Sequence, residues 1–389
     1  MNSFDSQSQP HRIRSKIEAL RLAGRLHEAI SLQVQLVNDL VKQGAISPDD
    51  YQLLGAMLFT VKDWNTAAQA FSILKRHRPD FPNVNLNLGL SLLRAHRLEE
   101  AQVELQAAEA DSPDDLNLLD GLADLYGKLG DLDRARHYGE RSLLQKDRLA
   151  QTPSVGLNFA NIPLPPFEMC GLKANIIAFS LFGQAEMYQR GAIANATVAP
   201  YLYPGWRCRF YVDDTVPSDT RTALVSAGSE IAMMARHQRS TDGLFWRFLV
   251  AEDPNVSRFL IRDCDSVINI RERLAVGEWL DSHYHFHAMR DCTSHTDLIL
   301  AGMWGGIGGI LPPLAKLLEG FSYSTLTEGR VADQMFLGRI VWPLIKPSCL
   351  IHDRLYRVFG AKDFPTGADL LPEHHVGANV SNDVCGDGS

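Results

Sequence analysis

Apolar positions in the first part of the chain recur at a fixed step of 34 residues. Leu54, Leu88 and Leu122 stand on that step, and so do Ala67, Ala101 and Ala135, while Pro79 and Pro113 keep the same interval. Each period carries two apolar runs at helical spacing, so the pattern predicts paired helices stacked along the chain. Gly55 and Gly89, each after its leucine, let the paired helices approach closely, and the prolines end each pair. Leu20, Leu26, Ala29 and Ile30 fit a less regular first pair, as a capping repeat would. About four helix pairs are expected. Asp131-Leu132-Asp133 falls in this array and reads as a turn and helix start.

The period changes after a stretch with Pro153, Pro163, Pro165 and Pro166, which reads as a linker over 149–172. Ile176-Ile177-Ala178-Phe179 is a continuous apolar run of strand length, 185–199 has helical spacing, and 207–212 alternates as a strand. A helix at about 218–228, a strand at 230–234, a helix near 244–251 and a strand at 258–261 continue the alternation. Strands alternating with helices predict a parallel sheet in an α/β domain over 173–371. The polar, glycine-containing end, 372–389, is expected to be a flexible tail. The domain reading is thus 1–148 helical repeats, a linker, the α/β domain and the tail.

Composition narrows the function classes. The 389 residues are 45% hydrophobic and 22% charged, ordinary for globular protein, with a formal charge of −8. That acidity argues against nucleic acid or anionic lipid as a partner. No apolar run is long enough for a transmembrane helix and the first residues lack the apolar core of a secretory signal, so the expected compartment is the cytoplasm. The six cysteines form no CxxC pair, which speaks against a zinc finger or a disulfide framework.

The chemistry gathers at Asp263-Cys264-Asp265, directly after the apolar run Phe259-Leu260-Ile261. Two carboxylates at a strand's carboxyl end put hard oxygen ligands where a divalent cation and the phosphates of a nucleotide can meet. Cys264 is a spacer between them. Gly302-Met303-Trp304-Gly305-Gly306 lacks the phosphate-loop frame and reads as backbone lying beside a sugar. His283, His285 and His287 alternate as on one strand face, but nothing beside them calls for a metal.

Several separated segments then carry a resemblance. Phe179-Ser180-Leu181-Phe182-Gly183 with Tyr188, Tyr203-Pro204-Gly205-Trp206, Tyr211-Val212-Asp213-Asp214, Trp246-Arg247-Phe248-Leu249, Arg262-Asp263-Cys264-Asp265-Ser266, Ala332-Asp333-Gln334 and His352-Asp353 stand in family order. Over 174–365 the chain resembles bacterial glycosyltransferases of the GT-A type with a DXD motif. The 34-residue part resembles the tetratricopeptide repeats to which such enzymes are fused. The resemblance implies a helical solenoid followed by a Rossmann-like GT-A domain that moves sugar from a UDP- or GDP-sugar to a glycan or protein acceptor. It implies a metal, Mn²⁺ or Mg²⁺, with Asp265 and Asp263 as ligands and His352 as a third.

Donor binding would fall to Phe179, Ser180, Leu181, Tyr188, Asp213, Arg247, Arg262, Asp263, Trp304 and Gly305, and the catalytic carboxylate would be Asp333 or Asp291. For Arg262 a salt bridge to Glu272 or Asp291 is an equal reading, for Tyr188 and Trp304 a core position, and for Asp333 and Asp291 a helix cap. The repeats would dock an acceptor or partner, or serve packing and a homodimer. The rival classes are a scaffold whose transferase domain has lost activity and a metal-dependent nucleotide phosphohydrolase.

Overall fold

The structure is a computed structural model and describes residues 5–150, 156–235, 240–319, 321–322, 331–367 and 375–378. Two compact units share the chain, one ending at Ser142 and the other beginning at Leu143. A helical repeat region is followed by a mixed α/β sheet domain.

Among the described residues, eight helices of the repeat region follow in chain order: α1 (Asp5–Leu22), α2 (Leu26–Lys42), α3 (Pro48–Thr60), α4 (Trp64–His77), α5 (Val84–Arg94), α6 (Leu98–Asp111), α7 (Leu116–Lys128) and α8 (Leu132–Leu149). The last turns of α8, from Leu143 onward, belong to the second unit. The residues on the 34-residue step are the buried ones: Leu54, Leu88 and Leu122 in the first helices, Ala67, Ala101 and Ala135 in the second. Glycine is required where the pairs close. A Cβ on Gly55 would stand 2.6 Å from the Phe71 ring, and one on Gly89 2.7 Å from Leu105. Helix starts are fixed by side chains that accept otherwise unpaired N–H groups: Asp63 from Thr66, Asp115 from Leu118, and Asp131 from Arg134.

Among the described residues, the second unit is built on seven strands: β1 (Ala174–Leu181), β2 (Trp206–Val212), β3 (Glu230–Met233), β4 (Val256–Ile261), β5 (Phe286–Arg290), β6 (Trp304–Ile307) and β7 (Cys349–Asp353). Their order is β3-β2-β1-β4-β6-β5-β7. The expected parallel sheet is corrected to a mixed one, because β6 runs antiparallel to both β4 and β5. No helix intervenes between β5 and β6 to carry the chain back across the sheet, so it returns in the opposite sense. The carboxyl ends of the other six strands share one edge.

Helices α9 (Glu186–Leu202), α10 (Ser218–Ser226) and α11 (Ile270–Leu280) follow β2's predecessor, β2 and β4 respectively. Ile177, Phe179, Leu181, Phe210, Val212 and Leu260 form one face of the sheet, in a core with Ala192, Ala196 and Ala199 of α9 and Val276 and Trp279 of α11. Over the other face the segment Ser240–Glu252 is 3-10 helical rather than α-helical. The short helices α12 (Leu314–Leu318), α13 (Ala332–Phe336) and α14 (Trp342–Ile345) complete the unit. Phe248, Phe336, Trp304 and Phe259 pack there ring on ring.

The proline-rich stretch, where described, carries a short 3-10 helix, Phe159–Asn161, and is fastened to the sheet. His285 Nε2 lies 3.0 Å from the Ile162 carbonyl, Arg258 donates to the Pro165 and Pro166 carbonyls, and Asn175 donates to Glu168 at 2.9 Å. Of the expected tail, only 375–378 lie among the described residues. There Val376 is buried with Ala275, Met289 and Met303, and its N–H donates to Asp291 at 2.8 Å. Among the described residues no helix is long and apolar enough to cross a membrane.

Candidate active site

From β1 the chain moves to β2 and β3 on one side and then to β4 on the other. The crevice outside the carboxyl ends of β1 and β4 is the switch point at which an open α/β sheet admits a ligand. Asp263-Cys264-Asp265 emerges from β4 at this place, and both carboxylates are partly exposed. Between them Cys264 turns inward, its thiol donating to the Ser180 carbonyl at 3.3 Å. Burial holds that thiol protonated, pushing its pKa well above the usual range.

Two glycines cup the acidic loop. A Cβ on Gly302 would lie 1.9 Å from Asp263 Oδ2, and one on Gly191 of α9 would lie 1.9 Å from the Cys264 carbonyl oxygen. Contacts this close admit only hydrogen. Asn195, fully buried one turn further along α9, donates to the Ser266 carbonyl at 2.8 Å and accepts from the Ile268 N–H at 2.9 Å. Sequence reading did not single out Gly191 or Asn195 as site residues. Their signal is a small residue and an amide four positions apart on the otherwise apolar face of α9.

Arg247 ties three elements together. Its backbone N–H donates to Ser180 Oγ at the end of β1 at 3.0 Å, and its guanidinium bonds Asp263 through Nη1 and Asp333 Oδ2 through Nη2, the latter at 2.8 Å. The Arg262 carbonyl takes a further bond from Nη1 at 3.1 Å. Arg247 is buried, and although burial works against its charge, Asp263 and Asp333 outweigh that effect and raise its pKa. Asp333 is buried as well. Desolvation pushes its carboxyl above the usual range, and Arg247 opposes the shift. A buried acid between a cation and a crevice can exchange a proton nearer neutrality than a surface aspartate can.

The other expected site residues divide among the core, the strand ends and the start of α9. Phe179 stacks on Phe210 at 4.7 Å between centroids, inside the core, and Leu181 is buried beside it. Arg262 points inward, bonding Glu272 at 3.2 Å and the Ile261 and Trp304 carbonyls, so the salt-bridge reading describes it. Trp304 is core, edge-on to Phe259 and Phe248, and Gly305 lies within β6, where a Cβ would meet the Phe259 carbonyl at 2.4 Å. Tyr188 is exposed near the start of α9. Asp213 caps the turn after β2, accepting from the Thr215 N–H at 3.1 Å, and Thr215 Oγ1 in turn accepts from the Gly183 N–H at 2.6 Å.

Asp291 is fully buried, with Arg271 at 2.9 and 3.1 Å and the Val376 N–H on its oxygens. His352 is fully buried on β7, its ring nitrogens 2.8 Å from His287 Nε2 and 3.2 Å from Glu278 Oε2. Three strand steps separate β7 from β4, about 14 Å at the usual spacing. His352 is thus spatially apart from Asp263 and Asp265. Among the described residues, no group of three or more His, Cys, Asp or Glu side chains stands together to hold a metal ion.

No family model matches this chain, and no curated protein does. Solved structures that are similar in part include MamA from Desulfovibrio magneticus RS-1, at 18% identity and a TM-score of 0.32, covering 34% of this chain and 73% of that one. A mutant of the Thermobaculum terrenum O-GlcNAc transferase matches at 14% identity and a TM-score of 0.41, covering 67% of this chain and 47% of that one. A mycobacterial protein matches at 12% identity and a TM-score of 0.28, covering 52% of this chain and 73% of that one. Likenesses this distant carry nothing about chemistry.

Proposed function

We propose that this chain is a glycosyltransferase of GT-A type that moves a sugar from a nucleoside-diphosphate sugar to a glycan or protein acceptor. The observation that carries the reading is the convergence of Asp263, Arg247 and Asp333 at the switch-point crevice, with Asp265 beside them. The segments that resemble the family also supply these residues.

Asp263 and Asp265 suit Mg²⁺ or Mn²⁺ as two hard oxygen donors, because such cations are commonly held by one or two carboxylates together with substrate phosphates. When bound, the cation neutralises charge on the departing diphosphate. His352 is left out of this set, since it is buried against His287 and Glu278. Arg247 acts as a brace rather than a phosphate ligand. Its two terminal nitrogens fix Asp263 and Asp333 relative to each other.

Asp333 is the better base of the two candidates, because Arg247 joins it to Asp263 and burial raises its proton affinity, whereas Asp291 is bonded to Arg271 and Val376 at the end of β5. The acceptor hydroxyl gives its proton to Asp333 as its oxygen bonds to the sugar carbon, and the carbon–oxygen bond to the diphosphate breaks with its electron pair on the leaving group. The helical repeats are assigned to docking the acceptor or a protein partner.

Titration of the full chain with a panel of nucleoside diphosphates, with and without Mn²⁺, tests this. Binding of one diphosphate only with metal, lost in Asp265→Ala but kept in His352→Ala, is expected. Metal-independent binding, or nucleotide hydrolysis that survives Asp265→Ala, overturns it.

A further inference from the structure

We infer that Lys146, near the end of α8, is a positioning residue for this site, acting through Asp297 and Gln334 on both of its carboxylate arms. The inference rests on the transferase reading for its consequence, but its wiring is independent of it. Lys146 Nζ donates to Asp297 Oδ1 at 2.9 Å and to the Thr296 carbonyl at 3.0 Å. The other oxygen of Asp297 accepts from Gln334 Nε2. Gln334 Oε1 accepts the Ala301 N–H at 3.2 Å, and the Gln334 backbone N–H donates to Asp333 Oδ1 at 2.9 Å.

An amide held at both ends has one orientation, with nitrogen toward the carboxylate and oxygen toward the N–H. Gln334 thereby fixes two things at once. One is Asp333, its neighbour, which Arg247 holds from the other side. The second is Ala301, whose neighbour Gly302 stands against Asp263 so closely that no Cβ fits between them. Lys146 holds one oxygen of Asp297 and Gln334 the other, so the carboxylate is fixed in place between two donors. Lys146 is mostly buried, Asp297 about one-third exposed, and Gln334 partly buried, so the link is sheltered from competing water. The neighbouring Asp147 has a different task. It accepts from Trp342 Nε1 and Lys346 Nζ, at 2.7 Å each, and fastens α14.

Lys146→Met in the full chain, followed by amide hydrogen exchange, tests the wiring. Exchange in the segments 297–303 and 331–341 is expected to quicken on the order of ten-fold while strands β1 and β4 keep their protection. Lys146→Arg, which retains charge and donors, should restore it. Asp297→Asn should reproduce the Met variant, and it decides the matter if Lys146→Met does not fold. Affinity for the nucleoside diphosphate that the wild type takes should fall about ten-fold in the Met and Asn variants and recover in the Arg variant. Unchanged exchange in the two segments, or a uniform quickening through the unit that Lys146→Arg fails to reverse, overturns the inference. A wild type that binds no nucleoside diphosphate sinks the transferase reading instead, and the exchange result still decides the wiring.

Discussion

Replacing Arg247 with methionine isolates the charge balance on which the site is built. The guanidinium sits between Asp263, whose side chain is 43% exposed, and Asp333, whose side chain is 6% exposed. Freed of Arg247, Asp263 turns to water at little cost. Asp333 cannot, and among the described residues it keeps the Gln334 N–H as its hydrogen-bond donor. Removing one partner of a buried pair costs about 3–5 kcal/mol. In a domain of about 150–250 residues each kcal/mol lowers the midpoint by about 2–4 °C, so Arg247→Met should lower melting of the α/β unit by about 6–20 °C at pH 7.5.

The pH dependence carries a definite sign. The folded pKa of Asp333 already lies above its usual value, so the folded state holds that proton more tightly than the unfolded chain does. Such a group favours folding at acid pH and loses that favour as pH rises from the unfolded value, near 4, through the folded one. Without Arg247 the folded pKa climbs further. The deficit of the variant is therefore largest at neutral pH and shrinks toward pH 4. Arg247→Met combined with Asp333→Asn should melt above the single Arg247→Met variant, because the uncompensated charge is gone. Calorimetry at several pH values reads all three outcomes. A loss below about 2 °C at pH 7.5, or one that is flat from pH 7.5 to 5, refutes the assigned charge balance.

Gly302→Ala should cost about 1–3 kcal/mol through overpacking and displace Asp263, weakening nucleoside-diphosphate binding more than it lowers the melting midpoint; unchanged affinity would show that the Gly302 contact does not set the position of Asp263. His295 is buried and accepts the Asp291 N–H at 2.9 Å, and burial first, with His375 and Arg290 adding, pushes its pKa down to about 3. The unfolded chain binds that proton near pH 6.5, so the stability His295 contributes is present above that pH and lost as pH falls toward 3. Urea midpoints measured from pH 7 to 4.5 should fall less steeply in His295→Gln, by about one proton's worth of slope, and an identical slope would refute the buried neutral ring.

The sequence carries the fold wherever its signal is local. The 34-residue recurrence of leucine, alanine and glycine is a record of which helix faces touch, so it specifies the helix pairs by itself. Strand-length apolar runs mark β1 and β4, and the carboxylates after β4 have to emerge at its carboxyl edge. Even the inward turn of Arg262 was latent in the sequence, since it stands two residues after Leu260 and so shares that residue's face, toward Glu272 on α11.

Tertiary structure decided what spacing along the chain cannot encode. Arg247 and Asp333 are 86 residues apart, and nothing in either segment records that they meet. His352 and Asp265 both lie at the carboxyl edge, but lateral strand order, set by how β6 turns back between β4 and β5, separates them. Lys146 lies in a helix whose pattern reads as repeat, while its ammonium bonds a loop some 150 residues later. Periodicity is a one-dimensional projection of burial and survives in the sequence; charge pairing depends on distances that exist only once the sheet has closed.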